Sequence, residues 1–447
     1  MNTEKATPVT AIVLGASGRG KLYGDYSLEH PEDLQITGIA ELVELRRNIY
    51  GDKYHVPEEN RVATWEEMLS RPKFADAVII ATPDHLHYAP CMKALDLGYD
   101  ILLEKPIAQT DEECRRLVAY AKEKGKIVGL THVLRYSPYF GMLKEMVSSK
   151  AIGDLVSIQH FEPIEHVHMS HSYVRGSWRN AEASTPLVLA KSSHDLDILH
   201  WIIGKPCKKV VAFGDLAHFK AENAPEGAPA RCTDGCPAEA TCPFSALKIY
   251  YRDRTWLYVF DLPEDPDKQG DVILENLKTG PYGKCVYHCE NNQPDHYMML
   301  MEFEGGVTVN FSIEAFTSYG GRRTRIMGTR GDIVGDMEEF THTDFATGVS
   351  KTYNANAEDA LNYEGVGHGG GDAGMIRDWI EAIRRQDASL MSTPLDESLE
   401  SHLIAFAAER SRKEGKVISL SPLRLKLLTD RFISAPYIQW TGHSGIT

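Results

Sequence analysis

The chain has 447 residues, 43% of them hydrophobic, eight cysteines and a formal net charge of -15. That apolar share over that length excludes a disordered protein and is enough for two domains with sizeable cores. The acidic balance excludes a general nucleic-acid or anionic-membrane surface, which needs a basic footprint, and points to small-molecule partners.

The N-terminal residues M-N-T-E-K-A-T-P-V-T carry neither an apolar core of signal-peptide length nor a twin arginine. No stretch reaches the roughly 20 apolar residues that span a bilayer. The expectation is a cytoplasmic protein with no membrane partner. In a reducing compartment the cysteines, too few for a disulfide scaffold, are thiols or metal ligands.

Residues 9–14 form a short apolar strand that runs into G-A-S-G-R-G at 15–20, followed by a helix and a second strand, 34–40. Gly15 permits the tight turn and Gly20 permits close helix-strand packing. Backbone N–H groups at the helix start suit a pyrophosphate. Ser17 replaces the middle glycine of G-x-G-x-x-G, and Gly18 supplies the lost slack. Gly15, Ser17, Gly18, Arg19 and Gly20 are therefore the expected dinucleotide cradle. Glu41 ends the second strand where a carboxylate bonds ribose hydroxyls and repels a 2′-phosphate, which favours NAD over NADP. Arg46 and Arg47, one turn on, oppose that preference because they are placed to reach a phosphate.

Residues 76–109 read D-A-V-I-I-A-T-P-D-H-L-H-Y-A-P-C-M-K-A-L-D-L-G-Y-D-I-L-L-E-K-P-I-A-Q. An apolar strand ends in Thr82-Pro83, a polar crest carries His85 and His87, a helix is closed by Gly98, and a second strand delivers Glu104-Lys105-Pro106. This is a parallel β-α-β unit, and ligands sit beyond the carboxyl ends of such strands. Thr82, Pro83, His87, Glu104 and Lys105 are thus cofactor-side candidates, and a lysine held there is open to desolvation. Taken alone, E-K-P reads equally as a solvated loop.

A-T-P-D-H-L-H at 81–87 together with E-K-P at 104–106 resembles the glucose-fructose oxidoreductase, inositol dehydrogenase and rhizopine catabolism family, Gfo/Idh/MocA. The resemblance implies a Rossmann domain, NAD(P) as cofactor, and a sugar, cyclitol or related substrate. It also implies a domain exit at T-H-V-L-R-Y-S-P, 131–138, where His132 replaces a common asparagine. The expected division is a nucleotide domain, 1–134, and a substrate domain, 135–447, with an insertion at about 214–296.

Between these landmarks, 111–124 reads as an amphipathic helix ended by Gly125 and 126–132 as a strand. Beyond them come a helix at 139–148 and a strand from 155. The fold class expected is α/β plus α+β: a Rossmann domain, then a mainly antiparallel open sheet covered by helices on one face. Apolar alternation at 208–213, 297–303, 307–315 and 325–327 supplies its strands. The open face is the expected surface of a homo-oligomer. His160, His166 and His168 would share one face of a strand that, in the family, borders the substrate. Hydrogen bonding to sugar hydroxyls, or plain surface exposure, is favoured there over metal ligation. His368 and Asp372 stand at the entrance of a helix at 375–384, facing either the cleft or the helix end.

Residues 187–204, L-V-L-A-K-S-S-H-D-L-D-I-L-H-W-I-I-G, read as one helix carrying Lys191, His194 and Asp197. His194 and Asp197 match the family's segment, but its earlier aspartate falls on Ala190. Hydride transfer from an alcohol needs a base for the hydroxyl proton and a cation for the developing alkoxide. Lys105 and His194 are the expected pair, with Lys191 lowering the histidine's pKa or holding a substrate oxygen. Asp197 is expected beside the substrate. Lys191, Arg135 and Arg179 suit a substrate carboxylate.

The insertion carries C-T-D-G-C-P-A-E-A-T-C-P at 232–243 and K-C-V-Y-H-C-E-N at 284–291. Cys232, Cys236 and Cys242, with Cys285 or Cys289, suit one tetrahedral ion, a structural zinc, although their spacing is neither that of a standard zinc finger nor of a ferredoxin. Small buried thiols are the competing reading. No catalytic metal is expected. The function expected is NAD-dependent oxidation or reduction of a ring hydroxyl. Two alternatives stay open: redox-neutral glycoside cleavage through a transient keto-sugar, and a non-catalytic nucleotide sensor, which the lost aspartate favours.

Overall fold

The computed structural model describes residues 7–16, 18–355 and 371–420. Ser17 and His368 of the expected site lie outside the described residues. The first sheet contains β1 (Val9–Leu14), β2 (Leu34–Ala40), β3 (Arg61–Val62), β4 (Ala77–Ile80), β5 (Asp100–Leu103) and β6 (Val128–Leu130) in the order β3-β2-β1-β4-β5-β6. Every pair in it is parallel. β4 and β5 are buried throughout, as continuous apolar runs must be when helices cover both faces. The order reverses between β1 and β4, and at this switch point the glycine-rich loop and Thr82-Pro83 leave side by side.

Local signals set the helices. In Asp111–Lys124, Thr110 caps the start by accepting from the Glu113 amide at 3.2 Å, three acidic residues fill the first turn, and left-handed Gly125 ends it. The helix Gly371–Arg385 comes late in the chain yet returns to the first sheet. Its Met375, Ile376, Trp379 and Ile380 share a core with Val9, Val13, Leu34 and Ile36, and the Trp379 indole donates to Ile101 O at 3.0 Å.

The second sheet holds β7 (Leu155–Pro163), β8 (Cys207–Asp215), β9 (His296–Phe303), β10 (Thr308–Glu314), β11 (Arg323–Gly328), β12 (Gly331–Gly335), β13 (Glu339–Asp344), β14 (Ser350–Asn354) and β15 (Ile418–Ser419). Its order is β14-β13-β12-β11-β7-β10-β9-β8-β15, and among the described residues β7 with β10 is its one parallel pairing. β9 alternates exposed and buried residues along its length, the mark of a sheet covered on one face. The helices Ser193–Ile203 and Leu395–Glu414 supply that cover. The other face carries Phe213 beside its cross-strand neighbour Met298, with Leu300 and Val334, all exposed. Among the described residues no helix is long and apolar enough to cross a membrane.

Two local expectations need correction. The helix expected over 187–204 is two helices, Leu187–Ala190 and Ser193–Ile203, with the chain bending at Lys191 and Ser192. The histidine-rich segment is not one strand either. β7 ends at Pro163, Glu165 turns the chain with φ 78, and His166–His168 begins a helical stretch that widens over Met169–Arg175. The Glu165 carboxylate accepts from the Val167 and His168 amides, each at 3.0 Å, and so starts that helix. His160 alone stays on the strand.

Candidate active site

A cleft of about 1440 Å³ runs from the glycine-rich loop, at Gly18 and Arg19, past Thr82-Pro83 to Lys105, Lys191 and His194. Its nucleotide end is shaped by backbone. A Cβ on Gly15 would stand 2.5 Å from Ala81 O, and one on Gly20 would stand 1.8 Å from Gly15 O, so both are fixed by close packing of loop, helix and strand. Gly18, at φ 47, has nothing within 4 Å of a Cβ, leaving its backbone open to the cleft. Among the described residues no side chain caps the helix Arg19–Glu29. A helix start of this kind directs its first N–H groups toward an anion such as a pyrophosphate. Glu41 stands beside this loop, accepting from the Ala16 amide at 3.0 Å and the Val43 amide at 3.1 Å.

The three arginines expected near phosphate are engaged elsewhere, Arg47 by donating to Glu41 O at 2.6 Å. Arg19 turns inward to Glu104 at 2.8 Å and also meets Asp372 and the Tyr23 hydroxyl. Asp372 thus holds the loop arginine rather than merely ending its own helix. Arg46 crosses to Asp261 of the insertion at 2.7 Å. The ring of His87 is buried between two carbonyls, Pro106 O at 2.6 Å and Thr82 O at 2.9 Å, and ties the two strand-end turns together. The Lys105-Pro106 peptide is cis.

Glu104 and Lys105 are set from behind. The Lys105 amide donates to Glu104 Oε2 at 3.0 Å and to Thr131 Oγ1 at 3.1 Å. Burial disfavours the Glu104 carboxylate, but Arg19 and Lys105 still hold it below the usual range. The Lys105 ammonium donates to Ala190 O at 2.7 Å. Desolvation lowers its pKa from the ordinary lysine value, with Glu104 and Asp84 opposing the shift. His194 opens onto the same cleft, and its ring centroid lies 5.7 Å from that of His132.

Lys191 reaches Glu162 of β7 at 2.9 Å. Glu162 also faces Arg322 at 3.1 Å, and Arg322 meets Asp195 at 2.5 Å. The Asp195 carboxylate closes the row on His160 at 3.0 Å. Burial works against ionisation of Asp195, yet Arg322 and His160 hold its pKa well down. Lys191 is thus moored by a buried carboxylate, and the carbonyl just before it, Ala190 O, is the one that accepts from Lys105.

Several residues expected at the substrate are placed elsewhere. Arg135 and Asp197 form a two-bond pair, both contacts 2.7 Å, with side chains 1% exposed, and Asp197 also meets His132 at 3.0 Å. They consume each other beneath the cleft, a placement at odds with substrate contact. His166 is held by Glu165 at 2.8 Å outside the cleft lining. His168 and Arg179 do line it. The His168 ring packs 4.6 Å from Trp256, and burial drives its pKa well below the ordinary histidine value.

The sequence reading missed the insertion's share of this wall. Trp256, Tyr258 and Phe260 line the cleft, and Trp256 also stacks on His171 at 4.7 Å. The aromatic run W-L-Y-V-F at 256–260 was the available signal. Asp84 was missed as well. Its carboxylate accepts from the Thr185 hydroxyl at 2.5 Å and the Trp178 indole at 3.0 Å, pinning the second unit over the polar crest. The cysteines expected to ligate a metal lie apart from this cleft, around a separate small cavity.

Comparison with known proteins agrees with this architecture. Residues 9–132 match the model of the oxidoreductase family with an NAD-binding Rossmann fold, Gfo/Idh/MocA, and residues 144–420 match the model of its C-terminal alpha/beta domain. YteT of Bacillus subtilis (strain 168) is 28% identical over 382 residues, covering 79% of this chain and 84% of that protein. A levoglucosan dehydrogenase in complex with NADH and levoglucosan superposes with TM-score 0.67 at 17% identity, covering 93% of this chain and 100% of that one. An inositol dehydrogenase homolog complexed with NAD+ from Azotobacter vinelandii gives TM-score 0.66 at 14% identity, covering 93% and 98%. At those identities the structures establish shared fold alone. The two family models together cover most of the chain, which therefore belongs to the Gfo/Idh/MocA oxidoreductase family.

Proposed function

We propose that this chain is an NAD-dependent dehydrogenase that acts on a ring CH–OH of a sugar, cyclitol or glycoside. The observation that carries the reading is the single cleft joining Gly18 of the nucleotide loop to Lys105, Lys191 and His194. When bound, NAD supplies the hydride acceptor. The open backbone at Gly18 and the uncapped helix start suit its pyrophosphate, and Glu41 suits a ribose without a 2′-phosphate. Of Lys105 and His194, the neutral partner takes the hydroxyl proton while the protonated one steadies the oxygen as it becomes a carbonyl. Lys191, held by Glu162, orients a second substrate oxygen. Trp256 and Tyr258 offer apolar faces to the C–H side of a ring. Composition and the lack of a membrane-crossing helix among the described residues support a cytoplasmic setting.

The test is a panel of sugars, inositols and glycosides incubated with NAD, scored for NADH absorbance and for product mass. Accumulating NADH with a product two hydrogens lighter supports the reading. A cleaved or dehydrated product without NADH would replace it with a redox-neutral route. No turnover of any panel member despite NAD binding would favour a sensor.

A further inference from the structure

The insertion between β8 and β9 encloses a cavity of about 20 Å³ whose wall carries Cys232, Cys236, Cys242, Cys285 and Arg175. Backbone pairing brings the distant cysteines together. Arg231 and Lys284 form an isolated bridge, Cys232 N donates to Gly283 O at 3.0 Å, and Cys285 N donates to Ala230 O at 2.9 Å. Cys232 and Cys285 are thereby diagonal neighbours on one side of that pair of strands. Left-handed Gly235, at φ 78, turns the chain between Cys232 and Cys236. Tight turns bonded at Cys236 O and Ala238 O then fold Cys242 back toward them.

Arg175 lines the same cavity. It is 1% exposed, and its guanidinium donates to Lys284 O at 2.8 Å and Phe244 O at 2.7 Å, with Cys232 Sγ at 3.8 Å. Its Nη1 is buried with no hydrogen-bond partner, and among the described residues no carboxylate pairs with it. A guanidinium is always charged, and an uncompensated buried charge is strongly unfavourable. Neutral thiols offer no compensation, whereas four thiolates on a divalent ion carry a net negative charge. The Ala246 amide also donates to Cys232 Sγ at 3.5 Å, as an N–H does to a thiolate.

We propose that Cys232, Cys236, Cys242 and Cys285 bind one structural zinc, with Arg175 as the buried counter-charge. The room available suits a single ion rather than an iron-sulfur cluster. All the cysteines are free thiols and no three of these sulfurs lie within 4.8 Å of one another. Ligation therefore draws them inward by rotation about their Cα–Cβ bonds, to Zn–S distances of about 2.3 Å. Cys289 is left out because it is not on the wall of this cavity, its thiol donating instead to Cys285 O at 3.3 Å. The ion would staple a lobe whose own core is small and which carries Trp256 and Tyr258 to the cleft. This inference is independent of the chemistry proposed in the cleft.

The experiment is elemental analysis of the full chain purified without added metal, paired with thiol counting on the protein before and after the metal is stripped with a chelator. Zinc equimolar with chain, released together with newly reactive thiols, is the expected result. Cys236→Ser and Cys242→Ser should lose the zinc, while Cys289→Ser keeps it. If the serine variants fail to fold, the wild-type zinc and thiol counts still decide. Metal-free folded protein, iron in place of zinc, disulfides among the four cysteines, or full zinc in a folded Cys236→Ser/Cys242→Ser protein would each overturn the proposal.

Discussion

The Lys105 ammonium lies 2.7 Å from the backbone oxygen of Ala190. A backbone oxygen accepts a hydrogen bond without bringing a full negative charge, so it orients the ammonium while stabilising the charged form less than a carboxylate would. Desolvation then lowers the lysine's pKa. In the direction of alcohol oxidation, turnover should rise with pH as Lys105 loses its proton, with a midpoint below the ordinary lysine value. Lys105→Met should bind NAD nearly as well as wild type, lower turnover by roughly 10² to 10⁴-fold and abolish that limb. His194→Ala should cost a similar factor, and the double variant should be little worse than the poorer single one. Steady-state kinetics across pH check this, and near-normal turnover of a folded Lys105→Met protein removes the lysine from the chemistry.

Cofactor choice follows from Glu41 and from the arginine that Asp261 holds. Dissociation constants should favour NAD over NADP, and Glu41→Ala should lose much of that discrimination. Arg46 is bound to Asp261 at 2.7 Å, which turns it away from a 2′-phosphate. Asp261→Ala should leave stability within about 1 kcal/mol, since the pair is partly exposed, while tightening NADP binding. Titration of both cofactors measures both effects, and unchanged NADP affinity in Asp261→Ala would show that Arg46 does not reach the ribose edge.

His402 connects the E-K-P turn to acid stability. Its Nε2 accepts from the Ile107 amide at 2.9 Å, which fixes the other nitrogen as the donor to Ser398 O at 3.1 Å. Burial, with His132 adding to it, lowers its pKa to about 3. Between that value and the ordinary histidine value near 6.5 the unfolded chain holds a proton that the folded one lacks. Folding stability must therefore fall as pH drops through this window, by about 1.4 kcal/mol per pH unit for this one group. His402→Gln, which retains an acceptor for Ile107, should flatten the slope of unfolding free energy between pH 6 and 4 by about that amount. Urea denaturation at several pH values gives the slope directly, and an unchanged slope would mean that another group carries it.

The exposed row of Phe213, Met298 and Leu300 on the open sheet face is proposed as the contact between copies of this chain. Light scattering should find an oligomer, and Met298→Lys/Leu300→Lys should dissociate it without loss of helix or strand signal. A wild-type monomer at micromolar concentration would end this reading.

The sequence by itself determined the first unit and the type of both sheets. β1, β2 and the helix Asp111–Lys124 have the bounds that apolar runs, Thr110 and Gly125 specify, because those signals act over a few residues. It also marked Lys105 and His194 as candidates. Where the chain bends was less legible: the break at Lys191 and Ser192 leaves the helical apolar period intact, and the Glu165 turn follows directly on an alternating strand. The partners of the charged residues were decided by tertiary structure alone. Arg135 meets Asp197, Lys191 meets Glu162, Arg46 meets Asp261, and Trp256 crosses from an insertion to the cleft wall. Periodicity records which face of an element is apolar. It carries no record of which distant carboxylate a cation finds once the two sheets are assembled.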